Sequence, residues 1–191
     1  FDKFGDPKIK SKSNKTRIIY VSQIAPHKNQ KKLVKIFKIY QKYFNKNSQL
    51  YIVGGFNTKD PYYQELEKEI GRCKSIYLTG KISLSRLKSL YESSDLFLSL
   101  SEHEGFSVPL VEAMYFGLPI VAYKAGAVED TLGSGGILIK NDNPLVISAT
   151  IDMLMNNEVL LNKIKCNQRK VMSKYNPLLI EKEMLRWLIQ N

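Results

Sequence analysis

Residues 101–114 read SEHEGFSVPLVEAM. Two carboxylates, Glu104 and Glu112, stand eight positions apart around Gly105, Phe106, Ser107 and Pro109, in a stretch otherwise apolar enough to be core. A carboxylate that accepts from two neighbouring hydroxyls makes charge-assisted hydrogen bonds contributing about 1.5 to 3 kcal/mol each, which suits a sugar ring or a ribose. Ser107 reads as a helix N-cap, with Pro109 in the first turn and Gly117 just past the end. The amides near Ser107 would then point outward from a helix N-terminus, a ready anion site for phosphate. Gly105 permits close backbone approach or a left-handed turn. One carboxylate at a sugar, one at a ribose and amides between them at a diphosphate describe a nucleotide-sugar site. Plainer readings stand beside it: Glu104 capping a turn, Glu112 in a surface salt bridge, Phe106 packed in the core or the loop.

Stepping outward, the elements that must position these groups alternate short apolar runs with longer amphipathic ones. That is the pattern of an α/β fold with a parallel sheet. Strands are predicted at 17–22, 49–54, 75–80, 95–100, 118–123 and 136–140, most of them apolar on both faces, as strands covered by helices on both sides are. From Asn29 a helical pattern sets Leu33, Phe37, Tyr40 and Phe44 on one face and Lys31, Lys35, Lys38 and Lys42 on another. A second helix opens at Thr58–Pro61, and Ser83 or Ser85 caps a third that ends near Ser93. Further helices are expected at 144–155, 158–173 and 177–190. In such a doubly wound sheet ligands bind outside the carboxyl ends of the strands, where Glu104 and Ser107 fall, directly after the strand DLFLSL.

The chain of 191 residues suggests one domain, with 43% apolar and 25% charged residues, ordinary for a soluble globular protein. Cys73 and Cys166 lie far apart without metal-ligand spacing, so two free thiols in a reducing compartment are expected. There is no apolar run of membrane-spanning length and no signal-peptide core in the sequence, so a cytoplasmic protein is expected. The opening FDKFGDPK lacks a methionine and resembles an interdomain linker, which suggests a domain cut from a longer chain. The net charge of +11 is uneven: residues 1–50 carry 13 Lys and Arg against Asp2 and Asp6, and the remainder balances. Such an excess suits nucleic acid, an anionic membrane or phosphate-bearing ligands. No signature of a nucleic-acid-binding module accompanies it, and the lysine face of the first helix also reads as an ordinary solvated face.

The string Glu104-Gly-Phe-Ser-x-Pro-x-x-Glu112-Ala-Met, followed by Gly117-x-Pro-Ile-Val-Ala, resembles the Glu-x7-Glu motif of retaining glycosyltransferases of family 4, also called group 1. VSQIAPHKN at 21–29 is similar to the family's first strand and loop, where an arginine and a lysine usually hold the donor diphosphate; Lys28 matches the lysine, whereas Gln23 stands at the arginine position, with His27 or a neighbouring lysine as the compensating group. AGAVEDTLGSGGILI at 125–139 resembles, in weakened form, the family's Gly-rich loop, helix and next strand. Gly80 and Lys81 fall near where the base would sit. The terminal NPLLIEKEMLRWLIQN fits the family's last helix, which crosses back toward the other domain.

The resemblance implies one half of a GT-B fold: a Rossmann-like, doubly wound parallel sheet of about six strands with helices on both faces. It divides the chain into a boundary segment (1–16), a nucleotide-sugar-binding domain (17–175) and a crossover helix (176–191). It further implies transfer of a hexose, with mannose a leading candidate, in surface polysaccharide or glycoconjugate synthesis. The donor is a GDP-sugar or UDP-sugar, with no cofactor and no metal. Glu104 would orient sugar hydroxyls at the reacting centre, while Glu112, Lys28, Gln23, Gly105, Phe106, Ser107 and Lys81 bind the donor. The acceptor, a glycan or lipid-linked saccharide, would be held by an absent N-terminal domain, with peripheral attachment at the inner membrane face as a further expectation. Alternatives are another sugar-nucleotide enzyme on this fold, a basic nucleic-acid-binding module, and a noncatalytic donor-binding half.

Overall fold

In the computed structural model, which describes residues 15–175, six strands form one parallel sheet in the order β3-β2-β1-β4-β5-β6. They are β1 (Thr16–Val21), β2 (Ser48–Val53), β3 (Ile76–Gly80), β4 (Leu96–Ser99), β5 (Ile120–Tyr123) and β6 (Ile137–Ile139). All six predicted strands are present. The fifth begins at Ile120 rather than 118, because Gly117 turns the chain at φ 66° and Pro119 has no N–H to enter the ladder. The central strands are buried on both faces: Ile18, Ile19, Leu96 and Leu98 are fully enclosed. Ile18 pairs with Leu96 and Ile19 with Phe97 across the join between β1 and β4.

Among the described residues seven α-helices cover the sheet: α1 (Gln30–Tyr43), α2 (Pro61–Ile70), α3 (Leu84–Ser93), α4 (Val108–Tyr115), α5 (Val128–Leu132), α6 (Pro144–Met155) and α7 (Glu158–Met172). α1 packs between α2 and α6, and α4 against α5 and α7, so both faces of the sheet are filled. Four of these starts, those of α2, α3, α6 and α7, are fixed by a side-chain cap. Asp60 accepts from the Tyr62 amide ahead of Pro61, and Asn143 from Leu145 ahead of Pro144. Of the two serines considered for α3, Ser83 is the cap, its side chain accepting from the Arg86 amide. The helix expected at 177–190, with Trp187, lies outside the described residues.

The lysine face of α1 is not a free basic stripe. Lys31 pairs with Glu65, Lys35 and Lys38 with Glu69, and Lys32 with Asp142, so α2 supplies most of the counter-charge. Lys42 sits over the Tyr43 ring. Paired charges leave a weaker field at this face for an anionic surface or a nucleic acid than the sequence alone suggests. Both cysteines are free thiols. Among the described residues no helix is long and apolar enough to cross a membrane.

Candidate functional site

In this order the strands are added outward from β1 on one side and from β4 on the other, and the loops leaving the carboxyl ends of these two parallel strands diverge to form a crevice. The loop after β1 carries Gln23 and a short 3-10 turn, Pro26–Lys28; the loop after β4 carries Glu104. Three backbone or amide contacts tie the two together. Asn29, in the left-handed region at φ 54°, donates through Nδ2 to the Leu100 carbonyl at 3.1 Å. The Glu102 amide donates to the His27 carbonyl at 2.9 Å, and the Ser101 hydroxyl lies 3.5 Å from the same oxygen. On this frame Lys28 Nζ reaches Glu104 Oε1 at 2.8 Å, with both side chains largely shielded from solvent. Two residues 76 positions apart thereby share one end of the sheet.

Glu104 is also braced from the next loop. Its carbonyl accepts from the Ala127 amide at 3.0 Å, and Gly126 (φ 53°) packs so closely that a Cβ there would stand 2.3 Å from that carbonyl oxygen. Of the two expectations for Gly105, close backbone approach and a left-handed turn, only the second is excluded. Gly105 is absent from the left-handed region, and a Cβ on it would meet nothing within 4 Å. The loop is open at this residue rather than tightly turned, which leaves room beside Glu104. Phe106 is 60% exposed, so it is not a core residue; its ring meets Tyr175 edge-on at 5.6 Å between centroids. Ser107 occupies the N-cap position of α4 but its side chain makes no capping hydrogen bond, and the residue is buried.

Glu112 is the one charged residue in α4, a helix whose residues from Leu110 to Met114 are all buried. It is 4% exposed, so it is not the exposed helix residue considered as the plainer reading. Tyr91 Oη donates to Glu112 Oε2 at 2.9 Å. The Tyr91 ring stacks on Phe116 at 5.1 Å, and burial, followed by the Glu112 charge, pushes its phenol well above the usual tyrosine range. The hydroxyl therefore keeps its proton and acts as a donor.

Gln23 and Lys81 come together in a cavity of about 570 Å³ at the carboxyl ends of β1, β2 and β3, lined also by Gly55, Phe56, Asn57 and Gly80. Phe56 stacks on Tyr63 at 4.4 Å, and the Lys81 alkyl chain lies over Gly55, where a Cβ would come within 2.9 Å of Cε. Gln23 is fixed through its backbone: Gln30, fully buried, donates from Nε2 to the Gln23 carbonyl at 2.9 Å and to Ser22 Oγ at 3.0 Å. Gly54 (φ 152°) lets β2 pass β1 here, since a Cβ would lie 1.9 Å from the Ser22 carbonyl oxygen. Of these residues, sequence reasoning singled out Gln23, Gly80 and Lys81. It missed Phe56, Asn57, Tyr91, Gln30 and Gly126. The Gly54-Gly55 pair directly after an apolar strand was the available signal for the Phe56 loop; nothing local marks Tyr91 as the partner of Glu112. His27 and His103 are both exposed.

A second cavity, of about 270 Å³, lies at the opposite edge of the sheet, between Asp95, Phe116, Pro119 and Lys165, and contains none of these groups. Chemically, the carboxyl end of the sheet combines a shielded ammonium–carboxylate pair, a helix N-terminus without a side-chain cap and a cavity of mixed polarity with an aromatic wall.

Comparison with known proteins gives the family of the chain and the likeness of its fold. The family described as "Glycosyl transferases group 1" matches residues 2–175. An MMP alpha-(1->4)-mannosyltransferase of Mycolicibacterium hassiacum is 35% identical over 91 residues, 48% of this chain and 21% of that protein. The C-terminal domain of a group 1 family protein, LpcC of Francisella tularensis, superposes with a TM-score of 0.73 at 25% identity, over 85% of this chain and 87% of that one. Anabaena HepE, in complex with UDP and glucose, gives a TM-score of 0.77 at 21% identity, over 93% of this chain and 49% of that one, a likeness of fold. The chain spans less than half the length of the curated relatives that match it first.

Proposed function

Given that this chain belongs to the group 1 glycosyl transferases, we propose that it is the donor-binding half of a retaining hexosyltransferase that uses a GDP- or UDP-linked sugar. The observation that carries this reading is the Lys28–Glu104 ion pair, 2.8 Å long, which joins the loop after β1 to the loop that leads into α4, a helix whose N-cap side chain makes no hydrogen bond. Diphosphate recognition calls for cationic and amide donors at one point and sugar recognition for a carboxylate beside it, and both stand here.

In this reading the base enters the cavity lined by Gln23, Phe56 and Lys81, where Phe56 offers an aromatic face. The diphosphate lies between Lys28 and the amides of residues 106–108, with Gly105 leaving space for it. Glu104 accepts hydrogen bonds from sugar hydroxyls, and Glu112, held by Tyr91, fixes the ribose. As the glycosidic bond breaks, negative charge grows on the leaving diphosphate and positive charge on the anomeric carbon. Lys28 and the helix N-terminus stabilise the first, in a setting already oriented for it. Glu104 faces the second as an orienting carboxylate and not as a nucleophile. The missing arginine at Gln23 leaves Lys28 and the α4 amides as the principal diphosphate contacts.

UDP in HepE and the mannosyl transfer named for the M. hassiacum relative support a nucleoside diphosphate hexose as donor. The acceptor is a glycan or lipid-linked saccharide bound by a half outside this chain, and the product a surface polysaccharide or glycoconjugate. Calorimetric titration of the chain with GDP, UDP and their mannose, glucose and N-acetylglucosamine conjugates, in EDTA, tests the reading. One diphosphate series is expected to bind, and Lys28→Met to weaken it about tenfold or more, the loss of a charge-assisted contact. Absence of binding by every nucleotide refutes it.

A further inference from the structure

Lys28 and Glu104 hold each other, yet the proposed reaction offers them different partners before and after transfer. Their side chains are only 17% and 14% exposed, so neither charge is well compensated by water if the other is drawn away. The backbones on either side are fixed. The Lys28 carbonyl accepts from Tyr20 Oη at 3.2 Å and its amide donates to Ala25 at 3.0 Å. The Glu104 carbonyl is held by Ala127 and closely approached by Gly126. Any exchange of partners is therefore confined to the two side chains.

Resting on the donor-site reading, we propose that this ion pair discriminates the intact nucleotide-sugar from the spent nucleoside diphosphate. An intact donor brings phosphate oxygens to Lys28 and hydroxyls to Glu104, so both charges exchange one partner for another. A nucleoside diphosphate brings oxygens to Lys28 but nothing to Glu104 except a like charge. Glu104 then competes with the diphosphate for the same ammonium. The carboxylate thus weakens the hold on the product more than on the substrate, which favours product release and limits inhibition by the product.

The consequence runs against the usual effect of altering a binding site. Glu104→Gln removes the competing charge while keeping the shape, and is expected to bind the preferred nucleoside diphosphate about three- to tenfold more tightly, the range of a partly shielded charge contact. Its affinity for the glucose or mannose conjugate of the same nucleotide is expected to stay level or fall, so the preference for the sugar-bearing form shrinks. The calorimetric probes are UDP, GDP and those conjugates, with a thermal melt confirming that the variant is folded. In the Lys28→Met background the gain from Glu104→Gln should shrink to the relief of like-charge repulsion alone, because no ammonium remains to compete for. Nucleoside diphosphate affinity that is unchanged or lower in Glu104→Gln, or a gain that is undiminished without Lys28, overturns the discrimination while leaving the donor site standing. If the unaltered chain binds none of the nucleotides, the donor-site reading and this inference fall together.

Discussion

Tyr91→Phe removes one oxygen from the interior and nothing else. The ring stays between Phe116 and Phe97, stacked on the first at 5.1 Å, so no cavity of side-chain size opens. What is lost is the 2.9 Å hydrogen bond to a carboxylate that is 4% exposed. A hydrogen bond to a charged group contributes about 1.5 to 3 kcal/mol net. For a chain of this length each kcal/mol moves the melting midpoint by about 2 to 4 °C, so a loss near 2 kcal/mol corresponds to roughly 4 to 8 °C. Urea unfolding and thermal melts of the two proteins at pH 7.5 measure this directly. Repeating the substitution in the Glu112→Gln background isolates the pair, since a neutral acceptor should lose about half as much. Because Glu112 is proposed to meet the ribose, Tyr91→Phe should also reduce the preference for a ribonucleoside over a 2′-deoxyribonucleoside diphosphate. A stability change below about 0.5 kcal/mol, or equal costs in both backgrounds, would refute the claim that this hydrogen bond holds Glu112.

Two glycines in the same region should respond in opposite ways. Gly126→Ala forces a side chain into a left-handed backbone position and against the Glu104 carbonyl, and should cost about 2 kcal/mol or more in urea unfolding, with weaker nucleotide binding. Gly105→Ala, with nothing within 4 Å of the new carbon, should leave stability within about 0.5 kcal/mol and act only on binding; matching stability losses would contradict the loop geometry. At high pH, burial pushes Tyr20 up to about 12, against about 10 when unfolded, so its contribution is complete below pH 10 and is lost as pH rises from about 10 to 12. That difference corresponds to about 2 to 3 kcal/mol, and Tyr20→Phe should flatten the fall in stability between pH 9 and 11.5 relative to the unaltered chain; an identical slope would count against it.

Much of this protein is legible without coordinates. Apolar runs of four to six residues separated by amphipathic stretches dictate a parallel sheet covered on both faces, because a strand apolar on both sides must be buried on both. Proline at the start and glycine at the end bound α4, and the order of strands and helices along the chain places Glu104 and Ser107 at the carboxyl edge. Glu112 also stands out, as the lone charge in an otherwise apolar helical run.

Partnership is what the sequence left open. Whether Lys31, Lys35 and Lys38 form a basic face or a seam depends on α2 lying alongside with Glu65 and Glu69, a matter of packing between helices. The pairing of Lys28 with Glu104 depends on β1 and β4 being neighbours although 76 residues separate the two side chains, and that of Glu112 with Tyr91 on the contact of α4 with α3. Periodicity fixes which way a residue points within its own element, since that follows from the backbone repeat. It carries no information on what another element brings to meet it, because contacts between distant segments are set by the sheet order and the packing of the helices upon it.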